Sequence, residues 1–240
     1  MQILYNDDKI EIAHERGDGR VAIISFSGIG FGLGGIQIEE FRKSLSGISN
    51  DIYFVKEKAR HWYNSSFRQI CDFLNEELSR RGIDSAVTLG NSMGGFGAII
   101  FAGELLGCRS AIAFSAQSAV DPAIVPWEER YRQYTDTVSQ WAGLDATQLL
   151  HQNINYTLFF GNHDPLDIRH AARMAAAECS NMSIYIISNA GHDLANFLKR
   201  DGVLRHLIET LVREERHCLD FATVLQDVRY RALKLTAHCC

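Results

Sequence analysis

The chain has 240 residues, 46% of them hydrophobic, which is enough for one domain with a sizeable core. Its formal net charge of -5 at pH 7 supplies no electrostatic reason to bind nucleic acid or an anionic membrane surface. No apolar stretch reaches the roughly 18 residues that a bilayer span needs, and the opening MQILYNDDKI lacks the basic and apolar regions of an export signal. The expectation is a soluble, cytoplasmic protein.

Taken in chain order, short β-branched or aromatic runs bounded by Gly, Asn, Asp or Ser predict strands at KIEIAHE, RVAIISFSG, DIYFVK, SAVTLGNS, SAIAFSA, YTLFFGNHD and MSIYIIS. Between them come helical patterns. Trp62 to Arg81 carries Phe67, Ile70, Phe73, Leu74 and Leu78 on one stripe, and Met93 to Leu106 and the Ala-rich Leu166 to Glu178 follow. The alternation predicts an α/β protein, a mostly parallel, doubly wound sheet with helices on both faces in three layers. After His192 the chain reads as two or more helices as far as Leu235. One segment breaks the alternation: residues 117–155, with Pro122, Pro126, Trp127, Tyr131, Tyr134 and Trp141, predict a small cap-like helical insertion over one end of the sheet. With no repeat, no low-complexity tract and only three prolines, residues 1–240 read as a single domain. The six cysteines form no C-x-x-C pair, which argues against a zinc knuckle; they read as reduced core filler, with Cys239 and Cys240 in a frayed tail.

Within that pattern, LGNSMGGFG places Ser92 between Gly90 and Gly94, at the junction of a buried strand and a glycine-rich helix. Such a match arises by accident about 0.1 times in a chain of this length, so its context decides. A nucleophile on this kind of turn adopts a strained backbone, and side chains two residues to either side would collide, which is why both flanking positions need glycine. The following helix aims its dipole and the Met93 N–H at a developing oxyanion. A serine hydroxyl also needs a base, and the base needs an acid to fix its tautomer. FFGNHDPLD puts Asp164 just past one later strand, and ISNAGHDLAN puts His192 just past the last.

The order Ser92, Asp164, His192 on three strand-end loops resembles the α/β-hydrolase superfamily, over about Val21 to Asp201. The resemblance implies Ser92 as nucleophile, His192 as base and Asp164 as acid. Asp167 is the runner-up acid, because it follows the same strand but lies farther from its end. Asp193 is adjacent to the histidine it would support, and so is a poor choice. The loop SFSGIGFGLGG stands where the superfamily's first oxyanion loop follows an early strand; the Ile29 N–H is the preferred second donor beside Met93, with Gly28 the alternative. Trp127 and Tyr131 are candidate pocket-lining residues, weighed against a role in the small core of their own insertion. The pattern GxSMGGxGA, with an AFSxQ strand end at Ala113 to Gln117, resembles small, nearly capless bacterial members encoded near surface-polysaccharide genes. It implies a carbohydrate ester or acylated sugar among small-molecule esters.

These readings predict a serine hydrolase that cleaves a carboxylic ester through an acyl-enzyme, without cofactor or metal. Acyl transfer and thioester cleavage use the same groups, and a non-catalytic binding module is the alternative of a different class. Two rivals fail on context. GFGLGG satisfies G-x-G-x-x-G at Gly30, Gly32 and Gly35, but its strand ends several residues too early and Asp51 begins a strand rather than ending one. GNHD and GHD resemble metallophosphoesterase ligand loops, yet that family's early Asp-x-His, Gly-Asp-x-x-Asp and Gly-His-x-His are missing.

Overall fold

A computed structural model describes residues 1–30, 34, 36–213 and 232–235. Cys218, Cys239 and Cys240, and Gly32 and Gly35 of the glycine-rich loop, lie outside the described residues. The strands are β1 (Gln2–Asn6), β2 (Ile10–Glu15), β3 (Val21–Phe26), β4 (Asp51–Glu57), β5 (Ser85–Asn91), β6 (Cys108–Phe114), β7 (Asn155–Gly161), β8 (Met182–Ile187) and β9 (Ala232–Leu235). They form one nine-stranded sheet in the order β1-β2-β4-β3-β5-β6-β7-β8-β9. From β4 to β8 every pairing is parallel; β1 and β2 at one edge and β9 at the other run antiparallel.

The period of two along each strand divides the core. Ile24, Phe26, Ala86, Ala111, Ala113, Leu158 and Phe160 point to one face, and Ile23, Val87, Leu89, Ile112, Phe114 and Phe159 to the other. The first face packs against α2 (Phe67–Arg80), α3 (Met93–Ala102) and α5 (Pro165–Ala175); the second packs against α1 (Arg42–Leu45), α6 (Leu194–Arg200) and α7 (Val203–Arg213). This is the doubly wound, three-layer sandwich expected from the alternation.

Three details differ from the pattern reading. Helix α2 starts at Phe67 rather than Trp62, because Arg60, Trp62 and Tyr63 all take positive φ (58°, 50° and 62°), which no right-handed helix accommodates. The hairpin strand β1 is additional, and four residues within the helical run expected after His192 instead form β9, whose backbone completes the edge of β8. Between β6 and β7 the chain makes only the short α4 (Arg132–Thr135) and a 3₁₀ turn at Ala146–Gln148; the rest of residues 115–154 runs as turns over the carboxyl ends of the parallel strands. No helix among the described residues is long and apolar enough to cross a membrane.

Candidate active site

Strand β5 ends at Asn91, and the chain turns directly into α3 through Ser92, which sits at φ 55°, ψ −121°. That strain persists because the surroundings overdetermine it. A Cβ on Gly90 would lie 1.9 Å from the Gly94 carbonyl oxygen, and one on Gly94 would lie 2.1 Å from that of Phe26. The Ser92 N–H is also tied to the Phe114 carbonyl at 2.9 Å. The turn thus holds the Ser92 hydroxyl at the carboxyl edge of the sheet, where His192, in the loop after β8, brings Nε2 to 2.9 Å from Oγ.

The carboxylate on His192 is Asp167. Both of its oxygens lie 2.9 Å from Nδ1, and its side chain is fully buried. Burial pushes the Asp167 carboxyl up, but the hydrogen bond and charge of His192, followed by those of Arg130, outweigh it and hold the group below the usual carboxylate value. An ionised carboxylate only accepts, so Nδ1 carries the proton and Nε2 presents a lone pair to Ser92.

Asp164, the acid expected from the sequence, makes no hydrogen bond with His192. It is the N-cap of α5: Oδ1 accepts from the N–H groups of Leu166 (2.9 Å) and Asp167 (3.3 Å), and Oδ2 pairs with Arg130 (2.9 Å). With Asp164 spent on the cap and Pro165 opening the helix, the residue three positions on sits in the first turn. Helical side chains lean toward the N-terminus, which brings Asp167, not Asp164, back over the strand end to the imidazole.

Residues 115–154 also contribute Glu128 and Arg130, which the sequence reading missed. Arg130 donates through Nη1 to Asp167 (2.8 Å) and Asp164, and through Nε and Nη2 to Glu128. Its Nη1 is also 3.5 Å from His192 Nδ1, where two donors face each other and no bond forms. Burial raises Glu128, yet His170 and Arg130 bring it down to about 2. His170, fully buried, is lowered mainly by burial. Its Nδ1 accepts from the Ser118 N–H (3.0 Å), so Nε2 carries the proton given to Glu128 (2.9 Å). The ligand-type atoms of Asp164, Asp167 and His192 lie within 4.8 Å of one another, but the guanidinium already bridges the two carboxylates and His192 Nδ1 holds a proton. That cluster is built around a cation of the chain's own.

Of the aromatic candidates, Tyr131 reaches the site and Trp127 does not. The Tyr131 hydroxyl lies 3.0 Å from His192 Nε2 and accepts from Gln117 Nε2 at 3.1 Å. Trp127 packs against His170 and beneath Arg169, 4.6 Å and 4.2 Å from its ring. Gln117, fully buried just past β6, points its amide nitrogen at Ser92 Oγ as well (3.4 Å), while its Oε1 accepts from Trp62 Nε1 (3.0 Å). The available signal for Gln117 was its place directly after a strand ending at the sheet's carboxyl edge. For Glu128 and Arg130 it was a charged pair inside an aromatic-rich insertion.

On the opposite side, Met93 opens α3, so its N–H has no intrahelical acceptor. The Gly28 N–H faces the Glu40 carboxyl, a group that burial raises against that backbone hydrogen bond. The neighbouring Ile29 is buried, its carbonyl accepts from Arg60 (3.0 Å), and its N–H has no acceptor among the described residues.

No family model matches the chain, and no curated protein matches it in sequence. Solved structures do. The capsule O-acetyltransferase of Neisseria meningitidis serogroup A superposes with a TM-score of 0.64 at 14% identity, over 88% of this chain and 93% of that one. A carboxylesterase structure from the thaumarchaeon Nitrososphaera gargenis gives 0.58 at 13% identity over 94% and 99%. A thermophilic esterase from the planctomycete Thermogutta terrifontis gives 0.58 at 14% over 86% and 90%. With its sheet order, its serine turn after β5 and these superpositions taken together, the chain has the α/β-hydrolase fold.

Proposed function

We propose that the protein is a serine hydrolase that cleaves a carboxylic ester through an acyl-enzyme on Ser92. The observation that carries the reading is the unbroken line from Ser92 Oγ to His192 Nε2 (2.9 Å) and from His192 Nδ1 to Asp167 (2.9 Å), on a serine held at φ 55°. His192 takes the Ser92 proton as Oγ attacks the ester carbonyl, and Asp167 stabilises the imidazolium and keeps its ring in place. The Met93 and Ile29 amides face the tetrahedral oxyanion; the engagement of Gly28 with Glu40 favours Ile29 as the second donor. Collapse expels the alcohol, and an activated water then frees Ser92.

Acylated sugars are the proposed substrate class, supported by the likeness of GNSMGGFGA and AFSAQ to the bacterial type described above. The superposition on a capsule O-acetyltransferase favours a second reading for the same acyl-enzyme, in which a sugar hydroxyl replaces water as acceptor. A fluorophosphonate probe should label Ser92, and Ser92→Ala should abolish labelling and lower p-nitrophenyl ester turnover by about 10³-fold or more. Labelling elsewhere, or an active variant, overturns the proposal. Formation of an acylated sugar when a sugar acceptor is added distinguishes transfer from hydrolysis.

A further inference from the structure

His192 Nε2 has one lone pair and two hydroxyls on it: Ser92 Oγ at 2.9 Å and Tyr131 Oη at 3.0 Å. A base that serves an acyl-enzyme bonds two oxygens in turn, the nucleophile's and that of the leaving or entering alcohol. Tyr131 Oη stands at the second of these places. Its hold there is built rather than incidental. The Tyr131 ring is buried against Trp62 (4.9 Å between centroids) and under the Arg130 guanidinium (5.3 Å). Trp62 Nε1 can only donate, so the Gln117 amide is fixed with Oε1 toward Trp62 and its two N–H groups toward Ser92 Oγ and Tyr131 Oη. Gln117 thus occupies a lone pair on Tyr131 and leaves the phenolic proton to be shared with the imidazole.

From this arrangement we infer that Tyr131 is a further catalytic residue, a proton relay between His192 and the alcohol oxygen of the substrate. The inference rests on the acyl-enzyme reading. Once Ser92 has given its proton to Nε2, the imidazolium N–H donates to Tyr131 Oη, and the phenolic O–H turns to the ester's alkoxy oxygen. As the carbon–oxygen bond breaks, its electron pair goes to that oxygen, which takes the phenolic proton while Tyr131 takes the proton from Nε2. Tyr131 ends neutral, His192 ends neutral, and the alcohol leaves. Deacylation runs the relay backwards: water gives a proton to Oη as it attacks the acyl carbon, and Oη gives one to Nε2. Burial raises the Tyr131 phenol well above its ordinary value, against the lowering effects of Arg130 and Ser92. That suits a group that passes a proton concertedly and never rests as phenolate.

The test is Tyr131→Phe, measured as kcat/KM, which reports acylation, on the p-nitrophenyl and ethyl esters of the acyl chain wild type prefers. A nitrophenolate leaves without being protonated, whereas ethoxide does not. The expected result is a loss of about 10- to 100-fold on the ethyl ester and less than about threefold on the p-nitrophenyl ester. The ratio of the two constants is independent of how much of the variant is folded, so a merely structural loss leaves it unchanged. An unchanged ratio, equal loss of both activities, or a gain in activity overturns the relay; a gain would make Tyr131 a plug that substrate must displace. If Ser92→Ala keeps activity on either ester, the acyl-enzyme reading falls, and the relay with it. If Ser92→Ala is dead and the Tyr131→Phe ratio is unchanged, only the relay falls.

Discussion

Replacing Asp167 by Asn separates the two aspartates that follow β7. In the native site both Asp167 oxygens lie 2.9 Å from His192 Nδ1. An Asn there is held by the same Arg130 donor, which takes its carbonyl oxygen (2.8 Å in the native pair) and turns the amide N–H groups toward Nδ1. Two donors cannot face each other, so the imidazole shifts its proton to Nε2 and loses the lone pair that should take the Ser92 proton. Loss of the correct tautomer costs about 10³- to 10⁴-fold in kcat, or about 4 to 5 kcal/mol of barrier. Asp164→Asn differs in kind: an Asn oxygen still accepts from the Leu166 and Asp167 N–H groups, so the cap survives and only one pairing with Arg130 weakens. It should reduce kcat by less than about tenfold, with a stability change of about 1 kcal/mol or less. The assay is steady-state hydrolysis of a p-nitrophenyl ester by both variants, with circular dichroism to verify the fold. A larger loss for Asp164→Asn than for Asp167→Asn refutes the reasoning.

Two further outcomes follow from packing and burial. Gly94→Ala drives a methyl to 2.1 Å from the Phe26 carbonyl oxygen, so the serine turn or β3 must move; urea unfolding should show a loss of about 3 kcal/mol, and fluorophosphonate labelling should slow sharply, while a variant that keeps both would contradict the close-approach account. Glu57 is fully buried, with Oε2 accepting from the His61 N–H (2.7 Å) and Oε1 without a partner among the described residues, and burial pushes it from 4.5 up to about 7. A raised carboxyl binds its proton more tightly folded than unfolded, so its stabilisation is complete below pH 4.5 and is lost as the pH rises toward 7, by at most about 3 kcal/mol. Glu57→Gln should remove that slope, and unfolding curves of wild type and variant that stay parallel between pH 5 and pH 8 would show that Glu57 is not the source.

The division between what was legible in the sequence and what was not has physical causes. The seven strands, the pair of sheet faces and the serine turn could be read because period-two burial and a glycine-flanked strand-to-helix junction are local properties of a few adjacent residues. The place of His192 beside Ser92 was readable for a related reason, since parallel strands deliver the loops at their carboxyl ends to one edge. The carboxylate that meets His192 was half legible: DPLD is itself a cap followed by a first-turn carboxylate, a signal available without coordinates, but distance from the strand end pointed to Asp164, whereas Asp167 makes the contact. Strand β1 was missed because a partly exposed edge strand carries little alternation, and β9 because four residues hold too little pattern to outweigh a long helical run around them.

What only the tertiary structure decided is the company kept by Ser92, Asp167 and His192. Gln117, Glu128, Arg130 and Tyr131 lie in a segment without period, and their partners are between 14 and 61 residues away in sequence for every bond that Gln117, Tyr131 and Arg130 make to Ser92, Asp164, Asp167, His192 or one another. Sequence alone determined that a serine would be presented on a strained turn at the sheet's edge. Whether that serine meets an imidazole that is fixed, charge-balanced and shared with a phenol depends on how an aperiodic loop packs across the strand ends, and such packing is settled by contacts between distant residues that no local pattern encodes.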